Sequence, residues 1–198
     1  MRRFAAVEAH ARAVILVEGV SDRIAVETLA ARRGRDLAGE GVAVVPAGGA
    51  HAIGRHLARL VGDSRIACVA GLCDAGEEEH VRRAVERSGL GTARGRPDLE
   101  ALGFFVCVAD LEDELIRALT PAGVEAVLEA NGDLGAFRTF QRQPAWRGRS
   151  VDAQLRRFFG SADSRKLRYA RLLVEALDPA RVPHPLAGVL AHVRPPVV

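Results

Sequence analysis

Four short apolar runs, each closed by an acidic or glycine-containing stretch, organise the first part of the chain. Ala13–Val17 (AVILV) is rich in β-branched residues and stops at Glu18-Gly19, as a strand buried on both faces should. Val42–Val45, the run from Ile66 to Leu72, and Phe104–Val108 read the same way. The segments between them are amphipathic. Ser21 or Asp22 caps a helix through about Arg33, with Ile24, Val26 and Leu29 among its apolar positions and Gly34 at its end. Pro46-Ala47-Gly48-Gly49 turns the chain into a helix over about 51–61. Further helices are expected over about 77–88 and Leu111–Leu119, whereas 91–100, with Gly91, Gly95 and Pro97, reads as a surface loop. Strands alternating with helices predict βαβ units and a mostly parallel four-stranded, Rossmann-like sheet.

After Pro121 the strands stop. Segments around 121–130, 150–159, 164–177 and 185–193 read as helices separated by Gly and Pro. This places a boundary near 117–121, between an α/β domain (1–118) and a helical C-terminal extension (119–198) packed on it. With 198 residues, 48% hydrophobic and 27% charged, the composition is that of an ordinary globular domain. No apolar run approaches the roughly 20 residues that span a bilayer, and with no long apolar stretch behind Met1-Arg2-Arg3-Phe4 a signal peptide is not expected. A cytoplasmic protein without a membrane partner is expected. Cys68, Cys73 and Cys107 form no CxxC pair, which excludes a disulfide scaffold and a cysteine-rich zinc site.

Charge narrows the chemistry. The net charge is only +3, and Lys166 is the single lysine. A phosphate loop of the GxxxxGK[ST] type is therefore absent from the sequence. Acidic residues instead follow three of the four strands: Glu18 and Asp22; Asp74, Glu77 and Glu78; and Asp110, Glu112, Asp113 and Glu114. The carboxyl ends of parallel strands are where such sheets bind ligands. Carboxylates gathered there repel unless a hard cation neutralises them, although acids at helix N-termini also serve simply as caps.

The segment VEGVSD (Val17–Asp22) resembles the first motif of the Toprim domain, most closely in the OLD (overcoming lysogenization defect) nucleases. VVPAGGA (44–50), GLCDAGEEE (71–79), VADLEDELI (108–116) and the tail KLRYARLLVEAL (166–177) follow in the family's order. The resemblance implies a Toprim-type fold and a Mg²⁺- or Mn²⁺-dependent phosphodiester nuclease acting on DNA. Glu18 would be metal ligand or general acid/base, and Asp22 a neighbouring ligand. Asp74 would hold metal together with Glu77 or Glu78, Glu112 would complete the site, and Lys166 would face the scissile phosphate. Two cations about 4 Å apart would serve an in-line displacement. One position departs from the family. Asp74 is followed by Ala75 and Gly76, so the second carboxylate of the usual Asp-x-Asp is missing. That departure keeps open a catalytically weak subunit that binds nucleic acid or a partner ATPase. Another Toprim phosphoryl-transfer activity, in RNA maturation or primer synthesis, is a further alternative. OLD nucleases join their Toprim half to an ABC-type ATPase, so a separately encoded ATPase is one implied partner, and a homodimer is one admissible assembly.

Other features carry less. His51 and His56, five residues apart, do not share a helix face and read as surface or core histidines. Gly48-Gly49 reads as a tight turn. Trp146, Tyr169 and the Phe137/Phe140 pair read as filling of the helical core rather than as base-stacking platforms. Arg142, Arg147, Arg149, Arg156 and Arg157 form the densest basic region; Arg142, Arg147 and Arg149 are the candidates for contact with a nucleic-acid backbone.

Overall fold

Four parallel strands form one sheet in the order β2-β1-β3-β4, with β1 at Ala13–Val17, β2 at Val42–Pro46, β3 at Cys68–Cys73 and β4 at Phe104–Val106. The computed structural model describes residues 11–193, apart from the side chains of Ala50 and His51. In register, Ile15 lies between Val44 and Ala70, so β1 is central. The crossovers are α1 (Val20–Arg32), α2 (Ala50–Val61), α3 (Glu78–Ser88) and the short α4 (Arg96–Ala101). Then come α5 (Leu111–Ala130), α6 (Leu134–Gln141), α7 (Val151–Phe159), α8 (Asp163–Ala176) and α9 (His184–His192).

Alternate strand residues feed two cores, which is why each strand reads as an unbroken apolar run. Ile15, Val17, Val44, Ala70 and Leu72 point into one, shared with α1, α5, α7, α8 and α9. Val14, Leu16, Val45, Val69 and Cys73 point into the other, shared with Ile53 and Leu57 of α2, Val85 of α3 and Leu99 of α4. The first core is continuous from the sheet into the helices that follow residue 119.

The sequence reading departs from the structure at three places. Residues 91–100 contain the start of α4: Pro97 sits in its first turn, where a missing N–H costs nothing, and Leu99 anchors it in the core. Helix α6 was not anticipated because it is only eight residues long with Gly135 in its first turn, so the Leu134, Phe137 and Phe140 spacing is too short a run to register. Strand β4 ends at Val106 rather than Val108, since the Val108 N–H turns to the Glu114 carboxylate (2.7 Å) and its side chain is exposed. Helix α5 breaks at Thr120 (φ 66°, ψ 156°), immediately before Pro121.

Two arginines fasten the C-terminal helices to the end of α1. Arg32 donates to the carbonyls of Val174 and Leu177 (2.7 and 2.8 Å), and Arg35 to those of Leu190 and Val193 (2.5 and 2.6 Å). These carbonyls belong to the C-terminal ends of α8 and α9, where a cation also suits the helix dipole.

Helix α9 lies against β3 and β4 at Gly188, where an added Cβ would fall within the van der Waals envelope of the Phe105 ring. Gly188→Ala should therefore destabilise the protein by about 1–3 kcal/mol, despite the gain of nearly 1 kcal/mol in helix propensity. Urea unfolding reads the difference, and a variant more stable than wild type would show that the helix does not press on Phe105.

Candidate active site

From β1 the chain passes to β2 on one side, then crosses the sheet to β3 on the other. The carboxyl ends of β1 and β3 therefore flank the point where the winding reverses, and a crevice opens there by topology alone. Glu18 follows β1 and Asp74 follows β3. The Gly-Gly turn fixes the first of them. Gly48 and Gly49 take positive φ (77° and 104°) and aim their N–H groups at the Glu18 carbonyl (3.2 and 3.3 Å). Only glycine holds those angles without strain, so the turn after β2 positions the backbone of Glu18.

Capping explains some of the acids and not others. Asp22 is the third residue of α1 and accepts from the Gly19 N–H (2.8 Å), so one of its oxygens is a cap. Asp110 caps α5 by accepting from the Asp113 N–H (2.8 Å), and its other oxygen holds Arg156. Asp113 and Glu114 pair with Arg117 (both 2.8 Å), with Glu114 turned under the helix towards Val108. Glu78 is taken by Arg96 (2.8 Å). Asp74 and Glu77 occupy N-cap positions, yet neither side chain makes a cap bond. The outer oxygens (Oε2) of Glu18 and Glu77 are buried and have no hydrogen-bond partner, although the Glu77 atom lies 3.6 Å from His80 Nδ1. Between the two sequence alternatives for Asp74's companion, the geometry leaves Glu77 available and Glu78 engaged.

These groups share one electrostatic space. Burial and then the Glu77 charge raise the Glu18 carboxyl above its ordinary value, with Glu112 and Asp110 adding to this and Lys166 opposing it. Asp22 is pushed up to about 6 by burial first, with the Gly19 bond pulling the other way and Glu112 adding to the rise. Asp74 is pushed up to about 7 by burial, then by Glu18, Asp22, Asp110 and Glu112. Lys166 bonds Glu112 (3.0 Å). Burial alone would lower its ammonium, but Glu112, Asp22 and Asp74 together raise it. Glu18, Asp22, Asp74, Glu77, Glu112 and Lys166 are thus brought together, with Asp110 as a member the sequence reading had not selected.

The basic candidates divide. A cleft of about 450 Å³ adjoins the acids, lined by Asp110, Glu112, Trp146, Arg149, Ala153, Arg156, Arg157, Gly160 and Lys166. Arg149 borders it, whereas Arg142 and Arg147 are exposed outside it, with Arg147 bonded to the Arg142 carbonyl (3.3 Å). Trp146 lines the cleft while stacked on Phe140 (5.3 Å between centroids). Phe137 and Tyr169 are core residues, and Tyr169 donates to Asp133 (2.6 Å). His56 lines a larger groove of about 630 Å³ along β2, which none of the site candidates enters; the His51 side chain lies outside the described residues. Cys73 and Cys107 are buried, and burial pushes the Cys73 thiol up to about 12, so both behave as small apolar side chains.

The donor set suits a hard divalent cation, since it consists of carboxylate oxygens, one of them buried on Glu18 without a partner. Among the described residues no three His, Cys, Asp or Glu side chains already converge as a metal cage.

Residues 10–74 match the family described as "Overcoming lysogenization defect protein-like, TOPRIM domain". Among solved structures, the C-terminal region of the Xanthomonas campestris pv. campestris OLD protein is similar, with TM-score 0.69 and 21% identity over 92% of this chain and 94% of that one. The corresponding region of the Burkholderia pseudomallei OLD protein gives TM-score 0.65 and 20% identity over 92% of this chain and 96% of that one. The chain therefore has the fold of these C-terminal OLD regions. No curated protein matches it by sequence.

In metal-free protein the native Asp74 keeps a proton that the unfolded chain has lost, between the ordinary aspartate value of 3.8 and about 7. Native proton uptake makes stability fall as pH rises through that window. Asp74→Asn should match wild type at the acidic end and resist more urea at the alkaline end, in the presence of chelator. A difference that does not vary with pH would mean that Asp74 ionises as a solvated carboxylate.

Proposed function

We propose that this chain, with its OLD-like TOPRIM domain over residues 10–74, is a phosphodiester nuclease that cuts or nicks DNA with Mg²⁺ or Mn²⁺. The observation that carries this reading is the buried, unpartnered Glu18 oxygen facing the other carboxylates at the sheet's winding reversal. A buried polar atom left without a partner is costly and is rarely kept without a use.

Glu18, Asp74 and Glu77 would hold the cation, with Asp22 and Glu112 at its margin. When bound, a divalent cation supplies a nucleophilic water at neutral pH and charge stabilisation at the phosphate. Glu18 would serve either as a ligand of the cation or as the group that accepts the proton of the attacking water. Lys166, held over the edge by Glu112, offers its ammonium to the negative charge that gathers on the phosphate oxygens. The neighbouring cleft, with Arg149, Arg156 and Arg157, lies where the rest of the strand would run. Glu77, unbonded by any cap and the strongest charge acting on Glu18, stands in for the carboxylate missing after Asp74.

The missing carboxylate two residues after Asp74 favours one second reading, a catalytically weak subunit working with a separately encoded ABC-type ATPase. Supercoiled plasmid and Mn²⁺ separate the two. Wild type should nick alone, and Glu18→Gln should slow nicking by about 10²-fold or more; no nicking by wild type would support the subunit. Lys166→Ala should lower the cleavage rate by about 10²-fold with Mn²⁺ affinity nearly intact. A large loss of Mn²⁺ binding instead would make Lys166 a structural residue. Glu77→Ala should weaken Mn²⁺ binding measured by calorimetry, and unchanged binding would remove Glu77 from the ligand set.

A further inference from the structure

The cleft beside the acidic edge holds four cations, and two of them are already engaged. Lys166 is paired with Glu112 (3.0 Å), and Arg156 of α7 with Asp110 at the N-cap of α5. Arg149 and Arg157 line the same cleft with no carboxylate partner among the described residues. The Asp110–Arg156 contact spans 46 residues of sequence, and the arginine side chain remains 41% exposed. A pair this open to water contributes little to stability. Its geometric effect is larger, because it fixes a flexible guanidinium at the boundary between the cleft and the carboxylates.

We propose that Arg156 contacts a backbone phosphate of the DNA strand in this cleft, and that Asp110 is its positioning residue, occupying the guanidinium until phosphate replaces it. The inference rests on the nuclease reading and names a contact within it. Carboxylate and phosphate present similar paired oxygens to the guanidinium fork, so the exchange needs little movement of Arg156. Counterions released from the DNA favour phosphate over the carboxylate. The other Asp110 oxygen stays on the Asp113 N–H, so α5 keeps its cap through the exchange. Lys166 lines the same cleft, so a strand held by Arg156 would share the cleft with the ammonium that faces the scissile phosphate. Trp146, braced by Phe140 and by the Gln154 amide on its carbonyl (2.9 Å), forms the outer wall.

The test is a double-mutant cycle on the full chain, read by the fluorescence anisotropy of a short fluorescein-labelled single-stranded DNA in chelator, where no cleavage intervenes. Arg156→Gln should weaken binding about tenfold, as loss of one charge-assisted contact does, and should make the salt dependence shallower by about one counterion. Arg156→Lys should recover part of the affinity, since a point charge replaces the fork. Asp110→Asn keeps a good N-cap and should tighten binding in the wild-type background, yet change nothing when combined with Arg156→Gln. If wild type binds and Arg156→Gln binds equally well, the contact is overturned while the nuclease reading stands. If Asp110→Asn tightens binding equally in both backgrounds, it acts as bulk charge and the positioning role is overturned. If neither wild type nor Asp110→Asn retains the DNA, the contact is overturned, and the nuclease reading is decided separately by plasmid nicking with Mn²⁺.

Discussion

The carboxylates that converge on the sheet's carboxyl edge repel one another, and much of the surrounding structure answers that repulsion. A parallel sheet brings its strand ends to one edge, and this chain places an acid after β1, β3 and β4 there. Glu18 and Asp74 are both raised by burial and by the other acids. Protons, protein cations or a bound metal can each relieve such an edge. The protein uses the second in part: Glu112 receives Lys166 and Asp110 receives Arg156. Glu18 and Glu77 receive no hydrogen bond at their outer oxygens. Neutralisation by protein cations thus reaches Glu112 and Asp110 at the rim and leaves the outer oxygens of Glu18 and Glu77 without a partner.

That division depends on the C-terminal helices. Lys166 is in the first turn of α8 and Arg156 in the last turn of α7, so neither is tied locally to the acids it meets. The far end of α8 is set by Arg32, which caps its carbonyls from α1, and its middle by Tyr169, Leu173 and Val174 in the core shared with the sheet. Burial of such side chains is worth about 1.5–3 kcal/mol each, far more than an exposed ion pair. Apolar packing fixes the helix, and the ion pairs then select the orientation of two flexible cations.

Fold and site were legible in the sequence to different depths. The strands were readable because burial on both faces gives each an unbroken apolar run. The crossover helices between them were readable by alternation. Helix α6 was not, because its eight residues give too short an apolar run to register; α4 was masked by Gly95 and Pro97, which serve equally in loops and in first helical turns. Glu18, Asp22 and Asp74 could be picked out because parallel topology sends successive strand ends to one edge. Lys166 came only from resemblance. The Asp110–Arg156 pair had no sequence signal, since a contact across 46 residues leaves no local periodicity. The basic region pointed at Arg142, Arg147 and Arg149 alike because density along the chain ignores position in space, and only Arg149 lines the cleft.

The departure after Asp74 also has a spatial meaning. A carboxylate two residues on would have sat in the turn itself, on a short side chain rigidly placed by the backbone. Here Ala75-Gly76-Glu77 forms a single 3₁₀ turn, and the acid moves to its last residue on a longer arm. In the proposed site the extra methylene would give Glu77 reach towards Glu18, whose carboxyl its charge helps to raise. It also adds a rotatable bond that must be frozen when the group is used. If Glu77 serves in place of the second Asp, the acidic edge keeps its charge with a looser geometry. Such an edge would recognise a hard cation by charge before it recognises it by shape.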